Sequence, residues 1–114
     1  MNDHSSDYRH DFFIHSPGPR PPFGSVVDHV YGPAANVDTD GDSDPASSTE
    51  WTWLYMQLRP RQGEPVVEVT MIDEMGSVLR VASDDLALAT RTAEFLALQT
   101  GGALGRRSAP AEIR

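Results

Sequence analysis

Residues 51–102 constrain the fold most, because they carry most of the large apolar side chains of the chain. The segment 51–58 reads WTWLYMQL, so apolar groups fall on both faces of a strand, which is typical of a strand covered on both sides. Two further alternating segments, 66–72 and 78–82, follow breaks that contain proline or glycine. This pattern predicts three antiparallel strands joined by turns.

A helix is predicted directly after these strands, over residues 84–100. Its apolar side recurs at intervals of three and four residues, at Leu86, Ala89, Ala93, Leu96 and Thr100. Ser83 is the expected N-cap, with its hydroxyl accepting from the first free backbone amides. The pair Gly101 and Gly102 ends the pattern. We expect this helix to lie across one face of the sheet.

The sequence of the N-terminal half predicts fewer helices and strands. Residues 10–16 form a candidate strand at a sheet edge, 17–22 a proline-rich connector, 23–31 a short helix and 32–50 a long loop. Ala103 and Leu104 could add a short pairing. The fold class is therefore α+β: a mainly antiparallel sheet of three to four strands, with one long C-terminal helix and a short N-terminal helix packed on it. The expected organisation is a tail at 1–9, one domain at 10–104 and a second tail at 105–114.

Charge limits the partners of this chain. The formal net charge of the 114 residues is −8, and residues 1–50 carry nine acidic and two basic residues. Direct binding to nucleic acid is disfavoured because no basic face is evident, whereas an acidic surface suits a basic protein or simply confers solubility. The chain has no cysteine, no long apolar run and no N-terminal pattern of a secretory signal. We expect a cytoplasmic protein without membrane contact.

No motif for metal binding or catalysis is complete. Asp38, Asp40, Asp42 and Asp44 alternate as at the start of an EF-hand loop, but Ser43 occupies the glycine position and Glu50 comes one residue late. The four histidines show no zinc-ligand spacing, and a nucleophile elbow is missing. We therefore expect no cofactor, no metal and no enzymatic activity. The aspartate segment is either a solvated loop or a surface that meets a basic partner.

The aromatic side chains of the first strand allow two interpretations. Trp51, Trp53 and Tyr55 would share one strand face, where they pack in the core or form a rigid contact surface for a partner. The acidic segment runs directly into them. The candidate partner-binding residues are therefore Asp38, Asp40, Asp42, Asp44, Glu50, Trp51 and Trp53.

The acidic loop 36–50, the WTWLYMQL strand, the hairpin of 66–82 and the closing helix together resemble the small cytoplasmic immunity proteins of bacterial toxin systems. Phage-encoded inhibitors of bacterial nucleases are similar in type. The resemblance implies a non-catalytic inhibitor that occludes the active site of a basic partner, such as a toxin or a nucleic-acid-processing enzyme. The alternatives are a small enzyme or ligand-binding domain that uses a cleft between sheet and helix, and an accessory subunit of a larger complex.

Overall fold

The computed structural model describes residues 8–41, 51–59, 63–72 and 78–105, which form a six-stranded antiparallel sheet with two helices on one face. The strand order is β2-β3-β4-β5-β1-β6. In chain order the elements are β1 His10–His15, α1 Phe23–Tyr31, β2 Val37–Gly41, β3 Trp53–Leu58, β4 Val66–Met71, β5 Val78–Ser83, α2 Leu86–Thr100 and β6 Ala103–Gly105.

The predicted number of three to four strands is wrong, because the described residues form six. The α+β arrangement itself agrees, with both helices on one side of the sheet. The segment 32–50, predicted as a loop, contains β2, whose sequence VDTDG has one large apolar residue. Its position at the edge of the sheet explains this composition, since an edge strand needs fewer apolar side chains.

Strand β1 lies inside the sheet rather than at the predicted edge. It pairs with β5 in the register Phe12↔Val81 and with β6 in the register Ile14↔Leu104. The short β6 after the helix therefore covers the side of β1 that would otherwise be open. The sequence of β6 gave only a weak indication of this pairing, because the strand is three residues long.

The hydrophobic core lies between the helices and one face of the sheet. Helix α1 contributes Phe23, Val26 and Val30, and α2 contributes Leu96, which is fully buried as its spacing predicts. The large apolar side chains of the strands that are fully buried are Ile14, Leu54, Met56, Val67, Val69, Leu79 and Val81. All of these side chains belong to one cluster, so the two helices and the sheet share a single core.

The ends of α2 are fixed by side-chain and backbone hydrogen bonds. Asp85 is the N-cap, and its Oδ1 accepts from the Leu88 amide at 3.0 Å. The predicted cap, Ser83, is instead the buried last residue of β5, and its hydroxyl accepts from the Asp85 amide at 3.1 Å. Gly101 ends the helix as predicted, with a φ of 75° that favours glycine.

The described residues begin at 8 and end at 105, slightly beyond the predicted domain limits of 10 and 104. Tyr8, placed in the predicted tail, donates a hydrogen bond to Glu68, and the Arg9 amide donates to Asp84. The rest of the two predicted tails, residues 1–7 and 106–114, lies outside the described residues.

A candidate partner-binding face

The face of the sheet opposite the helices carries polar and aromatic side chains, and we call it the open face. Its members follow from the pairing register, because residues directly opposite each other on neighbouring strands share a face. From β2 across to β1 they include Asp38, Asp40, Trp53, Tyr55, Gln57, Glu68, Thr70, Arg80, Asp11 and Phe13. This face therefore combines carboxylates with large aromatic rings.

A groove of about 360 Å³ lies where β2 meets β3. It is lined by Asp38, Thr39 and Asp40 of β2 and by Trp53 and Tyr55 of β3, and we call it the acidic groove. Asp40 lies opposite Tyr55 in the ladder and is exposed. The Oδ1 atom of Asp38 lies 3.3 Å from Nη2 of Arg59, an exposed pair that contributes little to stability.

Hydrogen bonds hold the aromatic side chains of the groove in place. The indole Nε1 of Trp53 donates to Oε2 of Glu68 at 2.6 Å, and the Tyr8 hydroxyl donates to Oε1 of the same carboxylate at 3.1 Å. The Tyr55 hydroxyl donates to Oε1 of Gln57 at 3.0 Å. Burial and the neighbouring Glu68 carboxylate raise the pKa of Tyr8. The aromatic wall of the groove is thus held in a fixed orientation by side chains of the chain itself.

Arg80 of the open face is already neutralised. Arg80 is 11% exposed, and its guanidinium contacts both carboxylate oxygens of Asp11, with Nη2 at 3.1 Å from each. Because this pair satisfies a cation that is mostly buried, Arg80 offers little attraction to an anionic ligand. The other carboxylates of this face are Asp38 and Asp40 of β2 and Glu68 of β4.

The structure separates the predicted site residues into three groups. Asp38, Asp40 and Trp53 meet in the acidic groove. Trp51 does not, because it is fully buried. The other three predicted residues, Asp42, Asp44 and Glu50, lie outside the described residues.

The interpretation of Trp51 as a partner contact is wrong. Its ring packs edge-on against Phe23 with centroids 6.1 Å apart, and its Nε1 donates to the Pro21 carbonyl at 2.7 Å. The carbonyl of Trp51 accepts from Nε of Arg20. Strand β3 begins only at Trp53, so the alternation that placed Trp51 on the face of Trp53 does not extend back to it.

Two residues of the open face were absent from the predicted site, although the sequence contained a signal for each. Tyr55 follows Trp53 by two residues, so strand alternation places both on one face. Glu68 is a carboxylate within a run of apolar and β-branched residues, VVEVTM. A charged residue inside such a strand indicates either a solvent-facing position or a specific partner, and Glu68 has the donors Trp53 and Tyr8.

A second cavity, of about 350 Å³, lies on the helix side where the end of α1 meets the start of α2, and we call it the helix-end cleft. Leu58, Pro65 and Leu88 supply apolar walls, and Tyr31, Glu64, Asp85 and Arg91 supply polar groups. The buried Tyr31 hydroxyl has no hydrogen-bond partner among the described residues. Burial, and then the Asp85 and Glu64 carboxylates, raise the pKa of Tyr31 to about 12.

Neither metal ligation nor a membrane span is seen in the described part of the chain. Within it, no three histidine, aspartate or glutamate side chains lie close enough together to hold a metal ion. Neither α1 nor α2, the helices of these residues, has the length and apolar character needed to cross a membrane. Asp38 and Asp40, the first two of the alternating aspartates, lie on a regular strand and are directed to one face of β2.

Comparisons of the chain with protein-family models, with curated proteins and with solved structures find no match.

Proposed function

We propose that this chain is a non-catalytic binding protein for a basic protein partner and that the acidic groove receives an arginine or lysine side chain of that partner. The observation that carries the proposal is the convergence of Asp38 and Asp40 with the rings of Trp53 and Tyr55 in one groove. Carboxylates bind a guanidinium through charge-assisted hydrogen bonds, and aromatic rings attract its planar face. An arginine side chain satisfies both features at once.

The proposed consequence of binding is inhibition by occlusion. Proteins that process nucleic acids or nucleotides hold phosphates with basic residues. An acidic open face with an aromatic anchor would cover such residues and compete with the substrate. The net charge of −8 would steer the encounter. We propose a cytoplasmic location and a toxin or nucleic-acid-processing enzyme as the partner, in line with the resemblance to toxin immunity proteins.

Differential capture tests this function. Purified wild-type chain, the double variant Asp38→Asn with Asp40→Asn, and the control Asp28→Asn are each used to capture proteins from extracts of the source cell. Asp28 is exposed on α1, so the control removes charge away from the groove. Wild type and control should retain the same basic protein, and the groove variant should lose it.

The captured protein is then purified, and its association rate is measured at low and high salt. At low salt the groove variant should associate about tenfold more slowly than wild type, and the difference should shrink near 0.5 M salt. An inhibition assay of the captured protein completes the test. Equal capture and equal rates for the groove variant and the control would show that the groove is not the binding surface.

The helix-end cleft favours a second candidate function, the binding of a small ligand. Here the observation is the Tyr31 hydroxyl, which lacks a partner among the described residues while lining a cavity of about 350 Å³. A ligand with an apolar body and a hydrogen-bonding group would match the mixed lining. A fragment screen by amide chemical shifts would test it: shifts confined to Ala87, Leu88 and Arg91 would support this function, and no shifts there would reject it.

A further inference from the structure

The outer edge of β2 is open within the described residues. In the strand order β2-β3-β4-β5-β1-β6, β2 pairs with β3 on one side and with no other described strand. An edge strand presents backbone donors and acceptors that can pair with an added strand. Which residues present them follows from the hydrogen-bond register.

One backbone hydrogen bond shows which opposed pairs of the β2–β3 ladder are hydrogen-bonded. The Arg59 amide donates to the Asn36 carbonyl at 2.9 Å, so the opposed pair of residues 36 and 59 is hydrogen-bonded. Hydrogen-bonded and non-bonded pairs alternate along an antiparallel ladder. Asp38 and Asp40 therefore direct their backbone groups toward β3, whereas Val37, Thr39 and Gly41 direct theirs outward.

Thr39 is the central outward-facing residue of this edge. The outward amide of Gly41 is already taken, because it donates to the Asp40 carboxylate Oδ1 at 2.9 Å. Thr39 is exposed, and its amide and carbonyl both face the open side of β2. The central residue of an added strand would therefore form a hydrogen-bonded pair with Thr39.

We infer that the basic partner binds by adding an antiparallel strand to β2, with a central residue paired to Thr39 and a basic residue on each side of it. This inference rests on the proposed function and specifies the partner segment. The residues flanking the centre would lie opposite Asp38 and Asp40, in non-hydrogen-bonded pairs, where side chains approach most closely. Their side chains would share the open face with Trp53, since Asp38 and Asp40 border the acidic groove.

The opposite edge of the sheet does not offer the same match. Strand β6 has the sequence ALG, so it contributes no charged side chain beside its outer edge. It is also only three residues long, against five for β2. Charge complementarity with a basic strand therefore selects β2.

A synthetic peptide tests the inference without the natural partner. The probe is a capped seven-residue peptide with arginine at its third and fifth positions and valine or threonine elsewhere. Binding to the whole chain is followed by amide chemical shifts, which should move at Val37, Thr39 and Gly41. One matched peptide carries an N-methyl group on the central residue, which removes the amide proposed to pair with Thr39.

The matched protein variants are Thr39→Pro and Thr39→Val. Proline removes an outward amide that the β2–β3 ladder does not use, and edge strands tolerate proline at such positions. Valine keeps the amide and the strand propensity. Thr39→Pro should weaken peptide binding about tenfold or more relative to Thr39→Val, the equivalent of one lost hydrogen bond together with a steric block.

The outcomes separate this inference from the proposed function. If Thr39→Pro retains its fold by amide spectra and binds the peptide like wild type, or if the N-methylated peptide binds equally well, strand addition is overturned. Loss of binding in Asp38→Asn with Asp40→Asn, without loss in Thr39→Pro, would leave the acidic groove as the site and reject the strand. No shift along β2 with any peptide would also reject it, whereas the capture experiment alone decides the proposed function.

Discussion

The indole Nε1 of Trp53 donates a 2.6 Å hydrogen bond to Oε2 of Glu68, diagonally across the β3–β4 ladder. The second oxygen of that carboxylate accepts from the Tyr8 hydroxyl, so a single glutamate orients two aromatic side chains. One of them forms the wall of the acidic groove. The rigidity of the groove thus depends on a residue that does not line it.

Glu68→Gln should therefore affect both stability and binding. An amide offers one oxygen, which would accept from Trp53, while its NH2 group would donate to the Tyr8 hydroxyl, so two charge-assisted hydrogen bonds become weaker neutral ones. We expect the free energy of unfolding in urea to fall by about 1–2 kcal/mol. Affinity for an arginine-containing peptide should also fall, because the Trp53 ring is less constrained.

Glu94→Gln provides the control for this change, since Glu94 is exposed on α2. It loses the same charge without touching either aromatic ring. If both glutamine variants unfold at the same urea concentration, the hydrogen bonds of Glu68 do not stabilise the fold.

The long helix offers a pair of leucines for a second prediction. Leu96 is fully buried and Leu98 is 78% exposed on the same helix. Leu96→Ala should lower the free energy of unfolding by about 2–5 kcal/mol, because it leaves a cavity between α2 and the sheet. Leu98→Ala should change it by no more than about 0.5 kcal/mol. Thermal or urea denaturation measures both, and a similar loss in the two variants would contradict the packing of α2.

These leucines also illustrate what the sequence could predict. A helix of 15 residues repeats its spacing often enough that Leu96 is placed on the buried side without knowledge of the fold. Strand β2 has only Val37 as a large apolar residue, so its pattern resembles a loop. Its strand state depends on pairing with β3, which local spacing does not encode.

The candidate site was only partly predictable for the same reason. The acidic groove requires β2 beside β3, and the sequence indicated the acidic residues and the aromatic residues separately. Trp51 was assigned to the wrong surface because alternation was extended two residues before the strand begins. The ring contact with Phe23 that buries Trp51 joins distant segments, and no local pattern reports it.

Glycine packing gives a third prediction, at Gly102 between α2 and β6. A Cβ atom at this position would lie 2.5 Å from Cγ2 of Ile14 and 2.9 Å from the His15 carbonyl oxygen. The second contact is with the backbone of β1, which is paired on both sides and cannot move aside easily. Gly102→Ala should therefore lower the melting temperature by several degrees, on the order of 1–3 kcal/mol of overpacking.

The comparison for Gly102 is Ala103→Gly, which removes a methyl group from an exposed neighbouring position. Its effect should be clearly smaller. An unchanged melting temperature in Gly102→Ala would show that β6 does not pack closely on β1.

Removing the Tyr31 hydroxyl should not destabilise the protein at neutral pH. The hydroxyl is buried and has no partner among the described residues, so Tyr31→Phe should leave the free energy of unfolding unchanged or raise it by about 1 kcal/mol. Tyr55→Phe is the matched variant, because its hydroxyl donates to Gln57 and its loss should cost about 0.5–1.5 kcal/mol. A clear loss of stability in Tyr31→Phe would mean that its hydroxyl has a hydrogen-bond partner in solution.

Tyr31 also makes stability depend on alkaline pH. Burial, with the Asp85 and Glu64 carboxylates, raises its pKa to about 12, whereas an unfolded tyrosine titrates near pH 10. The folded chain therefore holds a proton that the unfolded chain releases. Ionisation of Tyr31 therefore leaves stability unaffected below pH 10 and lowers it as the pH rises from about 10 through 12. The raised pKa of Tyr8 acts in the same direction.

The composition of the chain makes this loss of stability at alkaline pH easy to measure. It contains no lysine and no cysteine, and arginine stays protonated, so tyrosine is the side-chain type of this composition that ionises at alkaline pH. Urea denaturation at several pH values should show stability falling above pH 10. The fall should be shallower in Tyr31→Phe, since phenylalanine has no proton to release. Parallel curves for wild type and variant would show that the Tyr31 hydroxyl is not held in its protonated form by the fold.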